Sequence, residues 1–210
     1  MKEQLTVGSM FAGIGGICLA FRQNGCKIVW ANEIDKYACK TYRLNFGDEY
    51  LVEGDIQKLD TKVIPKFDIL TAGFPCQAFS SVGLLEGFND PRGNLFFETA
   101  RVINKIKPRV VFLENVANLV KHDEGRTFEV ILKTLEDLGY YTVYKVMNAK
   151  EYGNIPQQRN RIYIVAFKYK KNIEKFKFPD ILPLTQTAFD LFDKNKQEEK
   201  YYMDGHRMWN

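Results

Sequence analysis

Short apolar runs alternate with amphipathic helical patterns along most of this chain, and that alternation constrains the fold more than any other feature. Leu5–Met10, Lys27–Asn32, Phe67–Ala72 and Arg109–Glu114 are nearly continuous apolar segments bounded by polar or turn residues. This is the pattern of strands buried on both faces. Helical stripes lie between them. Over 126–138, Phe128, Ile131, Leu132, Leu135 and Leu138 recur at helical spacing, with Gly139 as the stop. Over 94–106, Phe96, Ala100 and Ile103 make a similar stripe. The alternation predicts an α/β fold, a doubly wound and mostly parallel sheet with right-handed crossovers. Tyr140–Met147 and Arg161–Phe167 follow with no helical pattern between them, which predicts an antiparallel pair at one edge. After about Lys168 the texture changes to lysine-rich sequence with Pro179 and Pro183, one weak helical stretch at Thr187–Phe192, and an aperiodic tail from Tyr201 to Asn210. The predicted division is a main domain over 1–170 and a linker or the start of an incomplete second region over 171–210.

Composition enters mainly by exclusion. Sixteen Phe and eleven Tyr are ample material for a core, so disorder is not the main state. No apolar stretch approaches the ~18–20 residues that span a bilayer, and Met1-Lys2-Glu3-Gln4 has no signal-peptide pattern. A cytoplasmic chain with free thiols and no membrane partner is the expectation. The four cysteines form no CxxC pair and there are two histidines, so no metal site is expected. A net charge of +4 permits nucleic-acid binding and does not argue for it.

The first strand leads into Phe11-Ala12-Gly13-Ile14-Gly15-Gly16 and then a helix. A strand, a glycine turn and a helix N-terminus let a ligand approach the backbone closely. The dinucleotide fingerprint needs a third glycine where this chain has Cys18, which weakens a pyrophosphate reading. A turn serving only chain geometry is the competing reading. Glu33 and Asp55 follow the next two apolar patches. Acids there would converge with the glycine turn on one crevice and could hold ribose hydroxyls, an adenosine-like ligand without need of phosphates.

Phe67–Ala72 is followed by Gly73-Phe74-Pro75-Cys76-Gln77-Ala78-Phe79-Ser80. A cysteine at the exit of a central parallel strand is where open α/β sheets hold their active sites, and its thiolate would be the nucleophile. Cys18, Cys26 and Cys39 read instead as buried structural thiols. The glycine-punctuated Ser81–Arg92 stretch reads as a lid or, equally, a plain loop. Glu114 ends an apolar run and should be partly desolvated, which suits a carboxyl to share a proton. A helix-capping acid is the alternative. Arg159 and Arg161, at the entry of the last strand, would point to opposite faces, one toward a ligand carbonyl or phosphate and the other anchoring the structure.

Together these residues resemble the cytosine-5 DNA methyltransferase family of bacterial and phage restriction-modification systems. In the family's order the chain carries the Phe11–Gly16 turn, Glu33, Gly54-Asp55-Ile56, the Gly73–Ser80 block, Asp90–Phe97, Glu114-Asn115-Val116 and Pro156–Arg161, with His122–Gly125 as a weaker block. The resemblance runs from residue 5 to about 180. It implies a Rossmann-like methyltransferase fold and S-adenosylmethionine as cofactor. Phe11 and Ile56 would flank the adenine, Asp55 its amino group and Glu33 the ribose. Ala12, Gly13, Ile14, Gly15 and Gly16 would lie against the methionine part, with Gly73, Pro75 and Leu95 completing the site. Ile34 stands where many relatives carry an aromatic residue. The resemblance also implies a covalent mechanism on a cytosine flipped out of double-stranded DNA. Cys76 would attack C6, Glu114 would hold N3 and the amino group, Arg161 would contact O2, and Gln77 and Arg159 would support them.

The family continues with a target-recognition region and a final helix that completes the cofactor domain, and nothing after 180 resembles either. The expectation is one chain of a split enzyme, with a second chain carrying those parts, or a truncated product. Three rivals stand beside this reading. A nicotinamide oxidoreductase lacks its third glycine and gives Cys76 no role. A tRNA cytosine-5 methyltransferase would more often carry proline in place of Phe74. A non-catalytic partner-binding remnant is disfavoured by the presence of Cys76, Glu114 and Arg161.

Overall fold

The computed structural model describes residues 4–75, 95–192 and 195. The chain divides into two compact units: residues up to Met147 together with Asn160–Phe178, and Asn148–Arg159 together with the stretch from Pro179 onward.

The first unit is built on a sheet whose strands, among the described residues, are β1 (Thr6–Met10), β2 (Lys27–Glu33), β3 (Leu51–Glu53), β4 (Ile69–Ala72), β5 (Val110–Val116), β6 (Tyr141–Asn148) and β7 (Asn160–Phe167). Their order is β3-β2-β1-β4-β5-β7-β6. The pairs β2–β3, β1–β2, β1–β4 and β4–β5 are parallel. β7 lies between β5 and β6 and is antiparallel to β5, in a register running from Val110 opposite Phe167 to Val116 opposite Arg161. The order reverses at β1: the chain runs outward from β1 to β2 and β3, then crosses back to place β4 on the other side of β1. Such a switch point opens a crevice outside the carboxyl ends of the strands.

Among the described residues, the longer helices that cover the sheet are α1 (Gly16–Gln23), α2 (Lys36–Phe46), α3 (Leu95–Ile106) and α4 (Arg126–Asp137). The predicted stripes are the buried ones. Phe96, Ala100 and Ile103 of α3, with Phe128, Ile131 and Leu135 of α4, are all buried; α3 and α4 pack with Leu70, Val111, Leu113, Ile162 and Ile164 in one cluster. Each large apolar side chain fully buried in this way contributes about 1.5–3 kcal/mol. Cys18, Cys39 and Tyr42 of α1 and α2 pack with Val7, Ala31 and Ile69 in a second cluster. Gly8 is required in β1, because a Cβ there would stand 2.2 Å from the Phe67 ring. That ring crosses the strand and stacks on Trp30. Asp35 caps α2, its Oδ1 accepting from Tyr37 N and Ala38 N at 2.9 and 2.7 Å.

Three expectations need correction. The link between β6 and β7 holds one helical turn, Ala149–Tyr152, too short to show as a periodic pattern. Cys26 is half-buried rather than buried, because it follows the glycine turn that ends α1 and precedes β2. Arg159 and Arg161 do not straddle a strand. β7 begins at Asn160, so Arg161 alone lies in it, and residues two apart in a strand would in any case share a face.

In the second unit, Asn154 binds Thr185 through both side-chain atoms, and Leu182 N donates to Glu151 O. Thr187 and Asp190 form a capping box on the short 3-10 helix Ala188–Leu191, inside the predicted Thr187–Phe192 stretch. No helix of the described residues is long and apolar enough to cross a membrane. The predicted Ser81–Arg92 lid and the 201–210 tail lie outside the described residues.

Candidate active site

β1 ends at Met10, and the chain then turns sharply at Phe11, whose φ is +52°. A bulky side chain in the left-handed region costs about 1–3 kcal/mol and persists only where its surroundings dictate it. Here Ala12 N donates to Asn32 O at 3.0 Å and Gly15 N to Ala12 O at 3.0 Å, which fixes the turn on both sides. Gly15 cannot be replaced. Its φ is +96°, and a Cβ would fall 2.2 Å from the Phe46 ring.

Glu33, at the carboxyl end of β2, organises the crevice. Its Oε2 accepts from Gly13 N at 2.7 Å, and its Oε1 accepts from Ile34 N and Asp35 N at 2.8 and 2.9 Å. A carboxylate offers about four acceptor positions, so capacity remains for a ligand hydroxyl. Asn32 is buried and donates to Val52 O and Gly54 O, both at 2.9 Å, tying the end of β2 to the end of β3. Asp55 caps the following turn through Gln57 N. Arg101 of α3 grips that turn by donating to Ile56 O and Leu59 O.

Phe11, Glu33, Ile34, Asp55, Ile56, Gly73, Pro75 and Leu95 surround one cavity of about 240 Å3, together with Asn32 and Gly54. The first eight were assigned to the cofactor site from the sequence; Gly54 entered only within the Gly54-Asp55-Ile56 block, and Asn32 had no assigned role. Ala12, Gly13, Ile14, Gly15 and Gly16 are absent from its wall and shape the turn behind it. Ile34 is 64% exposed, whereas Ile56 is 3% exposed.

A second feature adjoins this cavity. Arg161 Nε stands 3.0 Å from Glu114 Oε1, with side chains 20% and 22% exposed. The partial burial of Glu114 was anticipated and its cationic partner was not. Arg161 also donates to Asn160 O. A guanidinium has five N–H donors, so it retains capacity for a ligand oxygen. The pair borders the cavity at Gly73, where a Cβ would stand 3.5 Å from Glu114 Oε2. Two residues on, Pro75 lines the cavity and precedes Cys76 in the chain. Asn115 holds this segment: its buried amide donates to Phe74 O at 2.8 Å while its Oδ1 accepts from Val116 N at 2.8 Å. The sequence reading gave Asn32 no role and held Asn115 only within the Glu114-Asn115-Val116 block. Their only signal is an amide inside an apolar strand run, which must find partners once buried.

Cys76 and Gln77 lie outside the described residues. Burial pushes the thiols of Cys18 and Cys39 up, which disfavours thiolate and fits a packing role. Arg159 belongs to the second unit, where it is exposed and its carbonyl accepts from Ala149 N.

A family model for the C-5 cytosine-specific DNA methylases matches residues 5–210. The chain is 48% identical over 201 residues to the type II methyltransferase M.Bsp6I of Bacillus sp. (strain RFL6), covering 94% of this chain and 64% of the relative. It is 47% identical over 195 residues to M.HhaI of Haemophilus parahaemolyticus, covering 93% and 59%. Among solved structures, the S. pombe Dnmt2 methyltransferase superposes with a TM-score of 0.65 at 26% identity, over 80% of this chain and 51% of that one. The Entamoeba histolytica methyltransferase EhMeth does so with a TM-score of 0.70 at 24% identity, over 97% and 64%, a likeness of fold. The chain thus spans roughly half to two thirds of the length of these relatives.

Proposed function

Since the chain belongs to the C-5 cytosine-specific DNA methylase family, we propose that it carries the catalytic half of a methyltransferase acting on C5 of cytosine in DNA, with S-adenosylmethionine as methyl donor. The observation that carries this reading is the wall at Gly73, shared by the cavity and the Glu114–Arg161 pair. One edge of the sheet thereby offers a nucleoside-sized hollow and a pyrimidine-binding pair side by side.

The residues present fit the cofactor. Glu33 would accept from ribose hydroxyls, Asp55 would meet the adenine amino group, and Phe11 and Ile56 would flank the ring. The turn over Ala12, Gly13, Ile14, Gly15 and Gly16 would lie along the methionine part, with Gly73, Pro75 and Leu95 closing the site. The bound cofactor supplies an electrophilic methyl group on sulfur. Cytosine C5 is a poor nucleophile, so the chain must activate it. The Cys76 thiolate adds to C6, and the electron pair displaced from the C5–C6 double bond makes C5 enamine-like. Glu114 holds N3 and the amino group and so favours that addition; Arg161 donates to O2. After methylation, loss of the C5 proton expels the thiolate and restores the ring. Gln77 and Arg159 are assigned supporting roles. The base must leave the stack to reach these groups.

Target recognition and the remaining wall of the cofactor site are assigned to protein outside 1–210, in a second chain or a further stretch. Incubating the chain, with and without that complement, with S-adenosylmethionine and a duplex carrying 5-fluorocytosine at the target position tests the mechanism. Fluorine at C5 cannot leave as a proton would, so an adduct of protein plus methylated oligonucleotide accumulates. It should form with the parent and vanish in Cys76→Ser at unchanged melting temperature. An adduct in that variant would remove Cys76 from its role.

A further inference from the structure

At the edge of the sheet opposite the candidate active site, a groove of about 490 Å3 is lined by Lys66, Lys105, Lys107 and Lys168, with Asp68 as the single acid in its wall. Arg109 stands at its margin, 3.6 Å from Asp68. Five cations against one carboxylate leave a surplus of four, as large as the surplus of the whole chain. The carboxylate is already engaged, accepting from Thr6 N and Thr6 Oγ1 at 3.0 and 2.9 Å.

The fold gathers these cations from distant parts of the sequence. Lys66 precedes β4, Arg109 precedes β5, Lys105 and Lys107 flank the carboxyl end of α3, and Lys168 follows β7. Because β1, β4 and β5 are parallel and β7 is antiparallel to β5, all these points meet at one edge. Lysines at a helix carboxyl end are commonly explained by the helix dipole, and that accounts for Lys105 and Lys107. It does not account for Lys66, Arg109 or Lys168, which lie on no helix. Lys170 and Lys171 extend the same basic stretch and are exposed.

We propose that this groove is a second DNA-binding surface, which holds the phosphates of a duplex segment other than the one whose cytosine reaches Glu114. Strands of four to seven residues at about 3.3 Å per residue separate the two edges by roughly 13–23 Å, so one phosphate cannot serve both. Among the described residues that line it, the groove offers ammonium groups and no exposed aromatic ring for stacking, since its Phe67 is 6% exposed. It therefore suits a phosphate backbone irrespective of sequence. DNA as the polyanion rests on the function proposed above; the charge geometry rests on nothing beyond the groove.

The test measures anisotropy of a labelled random-sequence duplex of about 30 base pairs with chain 1–210 across a salt series, where each phosphate contact contributes about 0.9 to the slope of log Kd against log salt. Lys105→Glu/Lys107→Glu should weaken binding at low salt by about tenfold or more and lower that slope by about two. Lys40→Glu/Lys133→Glu, which changes net charge equally, should leave the slope unchanged. Lys66→Gln/Lys168→Gln, which spares the helix end, should give a smaller loss in the same direction, so the result does not depend on one variant folding. Equal weakening by the groove and control variants would reduce the effect to net charge and overturn the proposal. So would a groove variant that keeps duplex binding but loses poly-glutamate binding, which would assign the groove to an acidic polypeptide. The groove variants should still form the Cys76 adduct, and Cys76→Ser should still bind through the groove; the two readings therefore fail separately.

Discussion

Asn115 ties β5, the strand that carries Glu114, to the segment that leads to Cys76. Its amide satisfies Phe74 O and Val116 N at once. Truncation to Ala would leave a buried carbonyl and a neighbouring N–H without partners, a cost of about 1–3 kcal/mol. The Glu114–Arg161 pair would remain. We predict that Asn115→Ala lowers the melting temperature by a few degrees and slows adduct formation with the 5-fluorocytosine duplex at least tenfold. An unchanged adduct rate at matched folded fraction would make Asn115 a purely structural residue. From sequence, Asn115 was visible only as part of a motif. Its hydrogen bond reaches back 41 residues to Phe74, and no local pattern encodes such a partner. Glu33 differs, because an acid at the end of a second strand after a glycine turn carries positional meaning before any coordinates are known.

At the scale of elements, the amino ends of β1, β4 and β5 are clamped by Asp68. Burial pushes its carboxyl up, but hydrogen bonds from the Thr6 N–H and hydroxyl, with Arg109 beside it, outweigh burial and hold it below the ordinary carboxylate range. A carboxyl depressed in the folded state stabilises the protein above its unfolded value of about 3.9, and that contribution is lost as pH falls through the folded value. The clamp is therefore fully present at neutral pH and released in acid. Asp68→Asn should lower the melting temperature at pH 7 and flatten its decline between about pH 5 and pH 3, relative to the parent. Parallel declines for the two proteins would show that Asp68 carries no pH-dependent stability. The glycine turn is the complementary case. Gly15→Ala meets both a φ of +96° and the Phe46 ring, so little soluble protein is expected, measured as yield and as loss of the cooperative melt.

At the scale of the molecule, the described residues cover the two sheet faces of the first unit unequally. Val111, Leu113, Ile162 and Ile164 are buried in the cluster of α3 and α4. On the opposite face Phe112 and Tyr163 are half-buried with their rings tilted at 40°, Phe21 of α1 meets Phe112 edge-on, and Val116 is 38% exposed. Strands of a doubly wound sheet are ordinarily covered on both sides, and Glu114 lies on this thinly covered face. An incomplete wall predicts that chain 1–210 alone binds S-adenosylmethionine weakly and methylates DNA poorly, and that adding the remaining part of the protein raises affinity by at least tenfold in calorimetry. Full activity of 1–210 alone would show that the site is already complete.

The sequence by itself determined the alternation of strands and helices, the glycine turn, and the chemical types available at each strand end. Those properties follow from spacing along the chain, with a period of two or 3.6 residues. Tertiary structure decided what no spacing carries: that β7 enters between β5 and β6 in the register that places Arg161 beside Glu114, that Glu33 grips Gly13, and that five distant cations share one groove. Register and edge placement are set by contacts between segments far apart in the chain, and a shift of one residue would turn Arg161 to the other face of the sheet.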